Sequence, residues 1–241
     1  MSDMASSIKK NAIGLTLFAL VTAGLVGSVQ MITKEKIAVN VQAAKARALF
    51  EIVPEALHNN DMLHDALALN PENLEPYKST ALFDTSLLGP IKPNSNAYYA
   101  RQDGKIVAII LPAIAPDGYT TQIELIVGVT PAGKVAGVRV VSHKETPGLG
   151  DKIDAAKSDW IKSFNNKALS ESNKAQWQVI KDGGTFDQFT GATITPRAVV
   201  NAVSRTLSFF NRNKELLLSH AAPKPVAANP STSPIEVNHG D

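Results

Sequence analysis

From Asn11 to Thr33 the chain runs NAIGLTLFALVTAGLVGSVQMIT without a charged side chain, and its Leu, Val, Ile and Phe residues fall on every face of a helix. A segment of that length crosses the hydrocarbon core of a bilayer, which needs about 20 residues of helix. A cleaved signal would have a shorter apolar run with a small-x-small site close behind it. The nearest such site here, Ala44-Lys45-Ala46, lies well past the run. The segment therefore reads as a retained transmembrane helix over 11–33. Lys9 and Lys10 precede the span, whereas Lys34, Lys36, Lys45 and Arg47 follow it, so the positive-inside count does not favour an inside N-terminus.

The remainder must fold as an appendage of that span, and its pattern changes twice. Ile37, Val41, Ala44, Ala48 and Ile52 recur at helical spacing, which predicts a helical neck from Lys34 to about Leu57. Residues 34–94 then read as neck and connecting segment, 95–220 as one globular domain, and 221–241, rich in Pro, Ala and Ser, as a flexible tail. Within the domain, Lys105–Leu111 follows an Asp103-Gly104 turn, Gln122–Val129 ends at Pro131-Ala132-Gly133-Lys134, and Val135–Val141 follows. Short strands joined by such turns predict an antiparallel sheet of hairpins. Ile153, Ala156, Trp160, Ile161 and Phe164 predict a helix capped by Asp151, Ala175–Lys181 a further strand, and Val199, Val200, Val203, Leu207 and Phe210 a last helix. That last helix is expected to start at Pro196 with Thr195 as its N-cap. The sum is an α+β fold, helices on a curved antiparallel sheet.

Composition excludes several chemistries. The chain has no cysteine, which removes thiolate metal sites, cysteine-ligated clusters and a cysteine nucleophile. With 24 Lys+Arg against 22 Asp+Glu the net charge of +2 lacks the basic footprint of a nucleic-acid binder. No second histidine stands at metal-ligand spacing from His143, so no metal is assigned. No Gly-x-Gly-x-x-Gly fingerprint is present for a nicotinamide cofactor.

Two loops carry what chemistry remains. His143-Lys144-Glu145-Thr146-Pro147-Gly148-Leu149-Gly150 joins a strand to a helix, with a fixed torsion at Pro147 and freedom for close approach at Gly148 and Gly150. It can lie flat against a planar ligand, and an ordinary connection would look similar. Asp187-Gln188-Phe189-Thr190-Gly191-Ala192-Thr193-Ile194-Thr195-Pro196 is a small-residue turn opening onto a helix N-terminus, where free amides and the helix dipole favour a phosphate. With no His or Lys base beside these threonines, a hydroxyl-nucleophile hydrolase gains little support. The residues alone lead to a phosphate-bearing ligand near Thr193.

At these motifs the sequence resembles the FMN-binding subunits of membrane redox pumps, and in particular the G subunits of Rnf (Rsx) ion-translocating electron transport complexes. The resemblance extends over nearly the whole chain. It rests on the anchor, the neck, Ala115-Pro116-Asp117-Gly118-Tyr119, Glu145-Thr146-Pro147-Gly148-Leu149-Gly150-Asp151-Lys152, and Phe186-Asp187-Gln188-Phe189-Thr190-Gly191-Ala192-Thr193, which fits the pattern Asp-x-x-Ser/Thr-Gly-Ala-Thr. It implies one FMN per chain, joined through its phosphate to Thr193 by a flavin transferase that uses FAD and a divalent cation. Asp187, Thr190, Gly191 and Ala192 would form the transferase recognition sequence and the wall of the phosphate site, with Thr195 beside them. The isoalloxazine would rest against Glu145, Thr146, Pro147, Gly148, Leu149 and Gly150. The resemblance further implies electron relay among partner subunits, no turnover with soluble substrates, and a bacterial inner-membrane protein with a cytoplasmic N-terminus and a periplasmic flavin domain. The C subunit of the sodium-pumping NADH:quinone reductase, which shares the domain, and a flavin-free membrane scaffold are the alternatives.

Overall fold

In the computed structural model of the protein, residues 2–69, 84–93 and 95–220 are described, the side chains of 2–10, 35 and 37–45 excepted. The tail expected over 221–241, and 70–83 and 94 of the connecting segment, lie outside them. The chain divides into two units, Met1–Glu51 and Ile52–Asp241. Residues 2–51 of the first belong to a single helix, α1, Ser2–Ile52, so the span runs without a break into the expected neck, whose helix ends at Ile52 ahead of Pro54 and not near Leu57. Its segment Asn11–Lys34 is long and apolar enough to cross a membrane. Thr16, Thr22, Ser28 and Thr33 return their hydroxyls to carbonyls one turn back, which leaves this stretch without a free hydroxyl donor to desolvate.

The second unit is built on a five-stranded antiparallel sheet in the order β1 (Ala66–Ala68), β2 (Asn96–Gln102), β3 (Lys105–Ala115), β4 (Ile123–Val129) and β5 (Val135–Ser142). The Asp103-Gly104 hairpin forms as expected: Gln102 pairs with Lys105, and φ is +52° and +77° at the two turn residues, the left-handed pair that a tight hairpin requires. Alternation sets the buried face, Ile109, Leu111 and Ala113 on β3 against Leu125, Val127 and Val129 on β4. Helix α2, Ile194–Arg212, lies against β3 and β4 with Val199, Val200, Val203, Leu207 and Phe210 buried, and short α3, Lys214–Leu218, follows. On the other face, Gly128 stands opposite Gly137, and the missing side chains leave room for Ile52.

Two expected elements are corrected. The helix predicted through Ile153 and Phe164 is instead a pair of 3₁₀ turns, Gly150–Ile153 and Asp159–Phe164. The Asp154 carboxylate takes the Ala156 amide and the Ser158 hydroxyl takes the Trp160 amide, so local side-chain acceptors displace helical bonding. Ile153, Ile161 and Phe164 are buried all the same. The strand predicted over Ala175–Lys181 is also absent. Trp177 and Val179 alternate inward, but the chain doubles back through Gly183 and Gly184 to a single bridge between Val179 and Phe186. A Cβ on Gly184 would lie 1.9 Å from the Gln178 carbonyl oxygen, which shows how tightly this loop closes on itself.

Candidate functional site

Beyond β5 the chain folds into a compact loop centred on one carbonyl. Thr146 O accepts the amides of Leu149 and Gly150, each at 3.1 Å, while Asp151 Oδ1 accepts the Gly148 amide at 2.8 Å. Asp151 thus closes this loop instead of capping a helix. Gly148, at φ +77°, makes the reversal and leaves Leu149 projecting. The second loop forms a tight turn in which the Ala192 amide donates to Phe189 O at 3.1 Å and Gly191 has φ +80°, the conformation that the third position of a type II turn requires. Trp160 pins it: the indole Nε1 donates to Asp187 O at 2.8 Å, and the ring meets Phe189 edge-on at 5.1 Å. A Cβ on Gly191 would touch Leu149 Cδ2 at 3.7 Å, so the two loops lie in contact.

Together they enclose a cavity of about 300 Å³ lined by Tyr119, Glu145, Thr146, Leu149, Gly150, Gly191, Ala192, Thr193, Ile194 and Thr195. Eight of these stand among the residues singled out in the sequence. Tyr119, within the Ala115–Tyr119 segment, and Ile194 join them. Pro147, Gly148, Asp187 and Thr190 are not among the lining residues; they shape or flank the two loops. His143 accepts the Glu145 amide at Nδ1, at 3.1 Å, and so serves the loop's backbone.

The N-terminus of α2 corrects one expectation. The helix begins at Ile194, so Thr193, not Thr195, occupies the N-cap position, and the Thr193 side chain makes no capping bond. Thr195 is fully buried and its hydroxyl donates to Glu145 Oε2. The same carboxylate accepts the Thr120 amide at 3.1 Å and the Tyr119 amide at 3.3 Å. Glu145 therefore joins three segments, and a local capping signal could not reveal a partner fifty positions upstream. The first helical amides, those of Ile194 and Thr195, have no intrahelical acceptor.

These features fit a flavin phosphate and its ring system. The helix N-terminus offers amides and dipole to an anion, and Thr193 adds an uncommitted hydroxyl. Leu149 is 42% exposed, Ile194 46% and Tyr119 66%, a cluster of large apolar side chains around one cavity that a planar ligand would cover. The volume is at the lower end of ligand pockets. Among the described residues no cluster of His, Asp and Glu could hold a metal ion.

Comparison with known proteins places the same stretch of chain in a known family. The family described as FMN-binding domain matches residues 118–208, a range that contains every lining residue, and the one described as RnfG N-terminal region matches 1–52. The chain carries an FMN-binding domain behind an N-terminal helix long and apolar enough to cross a membrane. It is 48% identical over 213 residues to the G subunit of the ion-translocating oxidoreductase complex of Pseudomonas aeruginosa (strain UCBPP-PA14), covering 88% of this chain and 93% of that protein. Identity to the G subunit of Vibrio vulnificus (strain YJ016) is 44% over 216 residues, 90% of this chain and 95% of the relative. For the G subunit of Shewanella piezotolerans (strain WP3 / JCM 13877) it is 43% over 219 residues, 91% and 97%. The chain belongs to the family of G subunits of ion-translocating oxidoreductase complexes, the first of the types that the resemblance had suggested.

Proposed function

We propose that this protein carries one FMN, joined by a phosphoester to Thr193, and that it relays electrons among the other subunits of its complex without independent turnover. The observation that carries the reading is the position of Thr193: it lines the cavity, caps α2 through its backbone alone, and has a side chain free of any capping bond. Attachment balances as a transfer from FAD. The Thr193 Oγ1–P bond forms, the P–O–P bond of FAD breaks, AMP leaves, and the hydroxyl proton is released. A separate flavin transferase with a divalent cation would catalyse it.

When bound, the flavin supplies reversible one- and two-electron chemistry, and the protein supplies attachment, orientation and a tuned environment. Here the amides of Ile194 and Thr195 would hold the phosphate, Leu149, Ala192, Ile194 and Tyr119 would shield the ring system, and the ester would keep the cofactor in place in every redox state. The anchor would place the protein in a bacterial inner membrane, in lipid, with residues 1–10 cytoplasmic and the flavin domain periplasmic. A C-terminal reporter active only after export should be active on this chain.

The decisive experiment compares the full chain with Thr193→Ala, each co-expressed with a flavin transferase, by ultraviolet fluorescence of the denatured gel band. A bright wild-type band that is lost in Thr193→Ala is expected. A dark wild-type band beside an active transferase would replace the relay with a flavin-free scaffold, and equal fluorescence would move the ester to another residue.

A further inference from the structure

Thr190, Thr193 and Thr195 stand in one short stretch, and each carries a hydroxyl chemically able to take a phosphoryl group. The fold treats them differently. Thr190 is exposed in the turn and is not among the residues lining the cavity. Thr193 and Thr195 both line it, one at the N-cap and one in the first turn of α2. Their side chains distinguish them: the Thr193 hydroxyl has no capping bond, whereas that of Thr195 is committed to Glu145.

We infer that Glu145 determines which threonine takes the flavin, by withholding the hydroxyl of Thr195. The inference rests on the Thr193 reading above and asks what excludes its neighbour. The Thr195 side chain is fully buried and its oxygen is held at the carboxylate, so turning it toward an incoming phosphoryl group would break a hydrogen bond to a charged partner, a cost of roughly ten- to a hundredfold. The negative charge acts in the same direction, since a phosphate on Thr195 would sit against a carboxylate, whereas one on Thr193 would meet the positive end of the helix.

Glu145 cannot swing aside, because its carboxylate is also held by the Tyr119 and Thr120 amides and its own amide is held by His143 Nδ1. Gly150 is part of the same device. A Cβ there would lie 2.8 Å from Thr195 Oγ1, 2.9 Å from Glu145 Cβ and 3.1 Å from Glu145 Oε2, so only glycine leaves room for the pair to close.

The test maps the FMN adduct by proteolysis and mass spectrometry on the full chain, co-produced with a flavin transferase. Wild type should carry the adduct on Thr193 alone; a wild-type chain without any adduct defeats the Thr193 reading itself and is thereby told apart from the outcomes below. Thr193→Ala should carry none, and an adduct on Thr195 in that variant, with Glu145 intact, overturns the inference. The double variant Glu145→Gln with Thr193→Ala keeps side-chain volume and, in its one carbonyl oxygen, an acceptor for one of the two amides that the carboxylate holds. It should carry the adduct on Thr195 at ten or more times the Thr193→Ala level, and adding Thr195→Val should remove it. A double variant that melts cooperatively near Thr193→Ala yet remains without flavin overturns the inference and assigns the choice to the transferase.

Discussion

Two carboxylates are buried among the described residues, Glu145 at 4% exposure and Asp65 at 1%, and they are stabilised in opposite ways. Asp65 faces a cation: its Oδ2 accepts Arg101 Nε at 2.7 Å and Asn60 Nδ2 at 2.9 Å. Arg101 in turn donates to the His220 carbonyl at 2.8 Å, so the pair ties the segment before β1 to β2 and to the end of the domain. Glu145 is held by two amides and a hydroxyl, and no cation pairs with it among the described residues. A buried charge whose role is to close the fold is neutralised by its partner. One that lines a ligand cavity keeps its field and is held by dipoles, which leaves it able to act on what enters.

Removing the cation should therefore produce the largest effect. Arg101→Met leaves Asp65 buried and unpaired, which is expected to cost about 3–5 kcal/mol of stability. Denaturant midpoints of the full chain in detergent would measure this, and flavin loading of the folded fraction should persist. Replacing Asp65 and Arg101 together by Leu and Met should recover most of the loss. A cost for Arg101→Met of well under about 1 kcal/mol would abolish the distinction between the two carboxylates, because it would mean that Asp65 never depended on its partner.

What could be read in the sequence and what could not follows the same division between local and distant partners. The hairpin at Asp103-Gly104, the alternating strands and the α2 stripe are specified by neighbours along the chain, and they form as expected. The two loops were legible because glycine, proline and small residues restrict the local backbone. Their meeting came only from the family resemblance, since Leu149 and Gly191 are far apart in the chain and no local pattern links them. Thr195 fits an N-cap pattern until Glu145, far upstream, takes its hydroxyl. The apolar stripe from Ile153 to Phe164 predicted burial correctly but helix wrongly, because the side chains of Asp154 and Ser158 compete for the backbone amides. Strand β1, three residues long, is too short to show a period, and Asp65 and Arg101 give no sign in sequence that they belong together.

On the other side of the comparison, a smaller loss is expected at Gly150. Gly150→Ala forces a methyl group into the contact between Glu145 and Thr195, and overpacking of this kind costs about 1–3 kcal/mol. The loss should appear in the thermal melt together with reduced flavin loading, since the disturbed pair lines the cavity. Gly148→Ala is the control: it meets nothing within 4 Å, so its cost is confined to the strain of φ +77°, about 1–2 kcal/mol. Equal flavin loading in the two variants would show that the Glu145 carboxylate tolerates displacement and that its position is not what the site requires.

The smallest effect concerns the oxygen of Asp65 that Arg101 does not reach. Oδ1 is buried without a hydrogen bond, and His220 Nε2 stands 4.0 Å away, with the His220 ring tilted against Tyr99 at 4.6 Å between centroids. Burial lowers the His220 pKa below its ordinary value, Asp65 opposes that and Arg101 adds to it. The folded state thus binds the His220 proton less tightly than the unfolded chain does. The resulting stability is fully present above the unfolded pKa of about 6.5 and is lost as pH falls through the lower folded value. Between about pH 7.5 and 5.5 the melting temperature should fall by no more than about 2–4 °C, and His220→Gln should flatten that slope. A melting temperature that rises on acidification would mean that protonated His220 closes on Oδ1 as a second cation. Asp65 would then be still more fully compensated than Glu145, and the contrast between a neutralised structural charge and an uncompensated one in the ligand cavity would widen.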